Sequence, residues 1–85
     1  MITVNLNASE IEFLDRQSPS TSQDGGFQSL LVRLQEKIDR GTGALPLTQK
    51  DIERIGRYAF DYGNGGWESR LTGAFGRTLG PSLGR

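Results

Sequence analysis

Apolar and polar residues alternate over residues 2–6, where Ile2, Val4 and Leu6 share one side, and this predicts a short strand. A short helix is expected over residues 8–16, with Ile11 and Leu14 inward. The Ser-, Thr- and Pro-containing stretch 18–24 reads as a loop. The strongest helical pattern covers residues 27–40, where Phe27, Leu30, Leu31, Leu34 and Ile38 recur on one face. Lys37 and Arg40 in its last turn suit the helix dipole, and Gly41 or Gly43 stops it. Residues 44–47 form a second short strand, and Pro46 within it argues for an edge. A helix over 49–62 carries Ile52, Ile55, Ala59 and Tyr62 inward. Residues 63–66 turn the chain into a last helix, 67–79, with Trp67, Leu71, Ala74 and Phe75 inward. Residues 80–85 read as an irregular tail.

Two echoes organise this pattern. Residues 5–14 and 46–55 both run from an apolar extended stretch through a capping residue, Asn7 or Thr48, to an acid three positions later, Glu10 or Asp51. A side-chain acceptor at the cap satisfies free helix amides, and the acid favours the helix N-terminus. The string Asp24-Gly25-Gly26-Phe27-Gln28-Ser29 returns as Asn64-Gly65-Gly66-Trp67-Glu68-Ser69. The two offsets are 41 and 40. The expected architecture is mainly α (α+β): two strand-helix-helix pseudo-repeats, about 1–41 and 42–80, within one domain of 85 residues. The strands pair with each other, and the four helices surround one core. The paired glycines are expected to permit positive φ and a tight approach between helices.

Composition limits the chemistry. There is no His and no Cys, which excludes disulfides, the usual Cys/His zinc sites and His-based catalytic dyads. No apolar run is long enough to span a membrane, and the first residues lack the basic and apolar regions of a signal peptide. Ten basic and ten acidic residues cancel, so no global field attracts nucleic acid or lipid. Residues 1–40 carry six acids and four bases, and residues 41–85 carry four acids and six bases. Only 34% of residues are apolar, and a chain of this length retains a net stability of about 5 kcal/mol.

Neither glycine pair matches a phosphate-loop or dinucleotide-binding pattern. Glu10 and Glu12, like Asp51 and Glu53, are two apart and cannot face each other on a helix, so no acid–base pair is indicated. No catalytic residue, metal or cofactor is expected. Two binding readings remain. Tyr58, Asp61 and Tyr62 near the end of one helix, with Arg70 and Arg77 on the next, make an aromatic and arginine set typical of protein interfaces. The helices 49–62 and 67–79 also have the outline of a helix-turn-helix, with Arg70 and Arg77 seven apart on the second helix. Self-association into a homo-oligomer would also cover exposed apolar surface.

Residues 58–71, Tyr58-Ala59-Phe60-Asp61-Tyr62-Gly63-Asn64-Gly65-Gly66-Trp67-Glu68-Ser69-Arg70-Leu71, are followed by Phe75-Gly76-Arg77-Thr78-Leu79-Gly80. This block resembles small accessory proteins carried by phages and mobile elements of bacteria. In size and in its lack of catalytic groups the whole chain is similar to the anti-CRISPR class. The resemblance implies an inhibitor acting in the bacterial cytoplasm. It would bind a CRISPR surveillance complex and block target-DNA engagement or nuclease recruitment. The class shares no motif, so it carries no residue role onto this chain. Many DNA-mimicking inhibitors are strongly acidic, whereas this chain is neutral, so the implied mode is occlusion of a protein surface.

Overall fold

Two side chains decide where the strands give way to helices. Asn7 Oδ1 accepts the Glu10 amide at 2.9 Å, and Glu10 Oε1 accepts the Asn7 amide at 2.8 Å. Thr48 Oγ1 accepts the Asp51 amide at 3.1 Å, and Asp51 Oδ2 accepts the Thr48 amide at 2.9 Å. Each is a complete capping box. The computed structural model describes residues 1–18, 20 and 25–85. Its elements are β1 (Ile2–Asn5), α1 (Ala8–Asp15), α2 (Gly26–Lys37), β2 (Ala44–Leu47), α3 (Gln49–Phe60) and α4 (Gly65–Leu79). The protein is therefore mainly α with one small two-stranded antiparallel sheet. Of the loop expected over 18–24, and of the first glycine string, Asp24 and its neighbours 19 and 21–23 lie outside the described residues.

The sheet pairs Ile2 with Leu47, Thr3 with Pro46, Val4 with Leu45 and Asn5 with Ala44. A shift of 41 residues exchanges the Thr3–Pro46 and Asn5–Ala44 pairs and returns Val4–Leu45 to itself. The Leu6 amide donates to the Gly43 carbonyl at 2.9 Å. Antiparallel alternation then places Thr3–Pro46 in a pair without ladder bonds, so the missing proline N–H costs nothing there. Gly43 has φ +79°, and a Cβ on it would strike the Leu6 carbonyl oxygen. Only glycine fits this corner.

The helix α2 is shorter than its hydrophobic period suggests. It ends at Lys37, not Arg40, and Ile38 is extended with ψ 139°. Asp39 is the cause. Its Oδ1 accepts the amides of Gly41 and Thr42 at 2.9 and 3.3 Å, while its own amide donates to the Ala44 carbonyl at 2.8 Å. This aspartate-centred turn outcompetes another helical turn and feeds the chain into β2. Ile38 remains buried, but from the extended segment. Arg40 leaves the helix and grips Asp15 through two bonds of 2.7 and 2.8 Å.

The core draws on every element. Phe27, Leu30, Leu31 and Leu34 come from α2, Ile55 and Ala59 from α3, and Leu71, Ala74 and Phe75 from α4. Leu14 and the sheet residues Val4, Leu45 and Leu47 complete it. Burying these side chains supplies the main driving force for folding. The tail expected to be irregular contributes as well. Leu83 is fully buried, and successive turns at Gly80 and Ser82 wrap residues 80–85 against the body. Tyr62, expected inward, is instead exposed, and Trp67 is only half-buried.

Candidate protein-binding face

Four aromatic rings gather where α2, α3 and α4 meet. Phe27 and Trp67, which occupy the same place in the two glycine strings, stack at 4.7 Å with planes 16° apart. Tyr58 meets Phe27 at 6.1 Å and Trp67 at 5.6 Å, both edge to face. Tyr62 stacks on Tyr58 at 5.2 Å and turns its edge to Trp67 at 5.7 Å. Such packed ring pairs hold one another in fixed orientation. Phe27 is buried, whereas Phe60 at the end of α3 is 37% exposed and Tyr62, two residues past the end of a helix expected to reach it, is 54% exposed. The cluster thus rises from the core to the surface.

Local sequence explains the approach. Asn64 Oδ1 accepts the amides of Gly66 and Trp67 at 3.0 and 3.2 Å, which fixes the start of α4 and the position of Trp67 on its first turn. A Cβ on Gly26 would collide with the Tyr58 hydroxyl, so glycine there allows α2 and α3 to close. The positive φ expected at the paired glycines is absent. Gly65 has open space around it, and the left-handed glycines are Gly43, Gly63, Gly80 and Gly84. The close approach therefore belongs to Gly26 alone of the two pairs.

The five residues singled out in the sequence separate into two groups. Tyr58, Tyr62 and Arg70 adjoin the ring cluster, with the Arg70 Cζ 5.5 Å from the Phe27 ring centre. Arg70 also donates to Gln17 Oε1 at 3.1 Å and to the Phe13 carbonyl at 3.4 Å. Burial, helped by the nearby Arg16 charge, lowers its pKa. Arg77 lies elsewhere. It holds Glu10 through bonds of 3.1 and 2.8 Å and reaches the Asn5 carbonyl at 2.6 Å, so it ties α4 to β1 and the α1 cap. Asp61 is committed to Arg85 through bonds of 2.7 and 3.1 Å, and this bonding lowers its pKa. Phe13, Arg16 and Gln17 at the end of α1 were not apparent in the sequence. Phe13 and Gln17 bond Arg70 across more than fifty positions, Arg16 lies over the Phe13 ring, and no local pattern encodes these contacts.

Among the described residues two acids are buried, and both are clamped. Glu10 is held by Arg77, whose hydrogen bond lowers its pKa against the opposing effect of burial. Asp51 meets Lys37 Nζ at 2.6 Å and Arg33 Nε at 3.3 Å. Burial pushes its pKa up, but the Lys37 bond and the Thr48 cap bonds override this and bring it down to about 2. Open grooves of about 390 and 380 Å³ flank α3, one along Ile52, Arg57 and Gly84, the other along Arg33, Lys50 and Arg54. Among the described residues there is no cluster of three or more His, Cys, Asp or Glu that could hold a metal ion, and no helix is long and apolar enough to cross a membrane.

No protein-family model matches the chain, and no curated protein or solved structure matches it.

Proposed function

We propose that the chain is a non-enzymatic protein-binding module whose contact face is centred on Tyr58, Tyr62 and Trp67, with Arg70 at its margin. The supporting observation is the ring cluster itself, rooted on buried Phe27 and ending in exposed Tyr62. Rigid aromatic anchors beside an arginine are the side chains that dominate protein interfaces. The two buried acids are held deprotonated by bases, which suits them to structural work rather than to donating protons near neutral pH. The resemblance to the anti-CRISPR class makes a CRISPR surveillance complex the partner of choice, with inhibition by covering a surface needed for target-DNA engagement or nuclease recruitment. The bacterial cytoplasm is the matching location.

The DNA-binding alternative loses support from the placement of its two arginines. Arg77 is spent on Glu10 and Asn5, while Arg70 turns toward the end of α1, so the two arginines are not free together on one face of α4. A reading helix needs such groups free for phosphates and base edges. The test is capture by tagged protein from a bacterial lysate containing CRISPR effectors, with and without nuclease, beside Tyr62→Ala. Nuclease-resistant capture of an effector, lost in Tyr62→Ala, is the expected result. A salt-dependent shift of bare DNA, abolished by Arg70→Ala with Arg77→Ala, would establish the alternative instead. Sedimentation across protein concentrations checks whether a second copy covers the same face.

A further inference from the structure

The bases of this chain are unequally matched. Arg33 and Lys37 share Asp51, Arg40 holds Asp15, Arg77 holds Glu10 and Arg85 holds Asp61. Lys50, Arg54 and Arg57 form no ion pair among the described residues, and neither do Arg16 and Arg70. Yet both converge on the last turn of α1. The Arg16 Cζ lies 4.5 Å from the Phe13 ring centre, and Arg70 bonds the Phe13 carbonyl and the neighbouring Gln17 side chain. Arg70 Nε is buried without a hydrogen-bond partner. Its guanidinium stands over Phe27, which stacks on half-buried Trp67. Both guanidiniums thus lie against aromatic faces at the end of α1, near enough for the Arg16 charge to help lower the Arg70 pKa, and among the described residues neutral oxygens and the α1 C-terminal dipole compensate them. A guanidinium pair in this state gains from a bidentate anion.

We infer that Arg16 and Arg70 form a carboxylate-binding site beside the Phe27–Trp67 stack, which takes an acidic side chain with an apolar neighbour from a partner protein. The inference rests on the protein-binding reading above and names the partner's chemistry. A single carboxylate matches two guanidiniums, and its apolar neighbour matches Trp67 and Tyr62. A nucleic-acid backbone fits less well. It needs a longer track of bases than these two arginines provide.

The chain has one tryptophan, so Trp67 fluorescence reports events at this site. The probe is an end-blocked hexapeptide of alternating aspartate and leucine, titrated while Trp67 emission and the Nε–Hε NMR signals of Arg16 and Arg70 are followed. Saturable binding that weakens with salt is expected. Arg16 is exposed and outside the core, so Arg16→Ala should leave the fold intact and weaken binding about tenfold. Arg70→Lys keeps the charge but loses the planar fork and should also weaken it, whereas Lys50→Ala should have no effect. No saturable change, equal binding by Arg16→Ala, or equally tight binding of an oligothymidine of the same charge would each overturn the assignment. Capture from lysate separates the two claims. A partner held equally by wild type and Arg16→Ala removes this site and leaves the binding-module reading. Peptide binding at the arginines without any captured partner removes that reading and leaves the site.

Discussion

The N-termini of α1 and α3 begin with the same device and end with different degrees of commitment. In both, a cap side chain and an acid three residues on satisfy each other's amides. In both, a base from a distant helix closes on that acid, Arg77 of α4 on Glu10 and Lys37 of α2 on Asp51. The two bases are 40 residues apart, the offset of the glycine strings. Asp51, however, is 1% exposed and carries Arg33 as a second partner, whereas Glu10 is 6% exposed and relies on Arg77 alone. The shorter aspartate draws its clamp inside. The longer glutamate leaves its clamp at the surface, where Arg77 also reaches the β1 backbone. The same local motif can therefore be a surface tie or an interior ion pair, according to what packs over it.

The largest test of that difference is truncation of each acid. Asp51→Ala should cost about 3–4 kcal/mol, because a cap and a buried ion pair are lost together. Glu10→Ala should cost about 2 kcal/mol. Urea unfolding measures both, and equal losses would erase the distinction. With a total stability of about 5 kcal/mol, Asp51→Ala is expected to lower the midpoint enough to populate unfolded chain near body temperature.

Acid titration comes next. Asp51 ionises at about 2 in the folded chain and at its ordinary 3.8 when unfolded. Its contribution of about 2 kcal/mol is complete above the unfolded value and disappears as pH falls toward the folded one. Glu10 acts in the same direction, starting from an ordinary value of 4.5. Stability should therefore fall between about pH 5 and pH 2. Asp51→Asn should flatten the lower part of that fall, and carboxyl chemical shifts during titration should show Asp51 protonating well below its ordinary 3.8.

The glycine strings give a smaller contrast. Gly26→Ala should destabilise by about 1–2 kcal/mol, since its Cβ meets the Tyr58 hydroxyl. Gly66→Ala meets only the Asn64 cap oxygen at 3.3 Å, and in a helix it should be neutral or gain a few tenths of a kcal/mol. Thermal melts compare the pair. Equal behaviour would mean that the Tyr58 approach is not what the first string provides. The smallest effect is expected from Arg77→Lys. It keeps a charge beside Glu10 but cannot hold both carboxylate oxygens and the Asn5 carbonyl, so the Glu10 pKa should rise slightly with little loss of fold.

Much of this was legible in residue order. Both capping boxes, the alternation of Ile2, Val4 and Leu6, and the apolar faces of α2 and α4 are local signals, each carried by residues within a turn or two of one another. Among the candidate residues, Tyr58 and Tyr62 were grouped because they are four positions apart, whereas Trp67, expected only as a core residue, joins them across the short turn between α3 and α4. Arg77 and Asp61 were grouped with them by proximity in sequence, but their side chains point to Glu10 and Arg85. The end of α2 was misplaced because helical periodicity continues to Ile38, while the Asp39 turn that stops it depends on Gly41, Thr42 and Ala44.

The sequence by itself determined the element types, their order and the starts of α1 and α3, because capping, alternation and helical period act over a few residues. Only the tertiary structure decided that Phe27 stacks on Trp67, that Leu83 closes the core, and that the two caps are clamped by bases from other helices. It also decided which arginines are consumed by carboxylates and that Arg16 and Arg70, which are not, both reach the end of α1. The physical reason is distance along the chain. Contacts such as Arg77 with Glu10 or Arg70 with Gln17 exist only once the helices have packed, and packing is set by the shape of the whole core rather than by any segment in it.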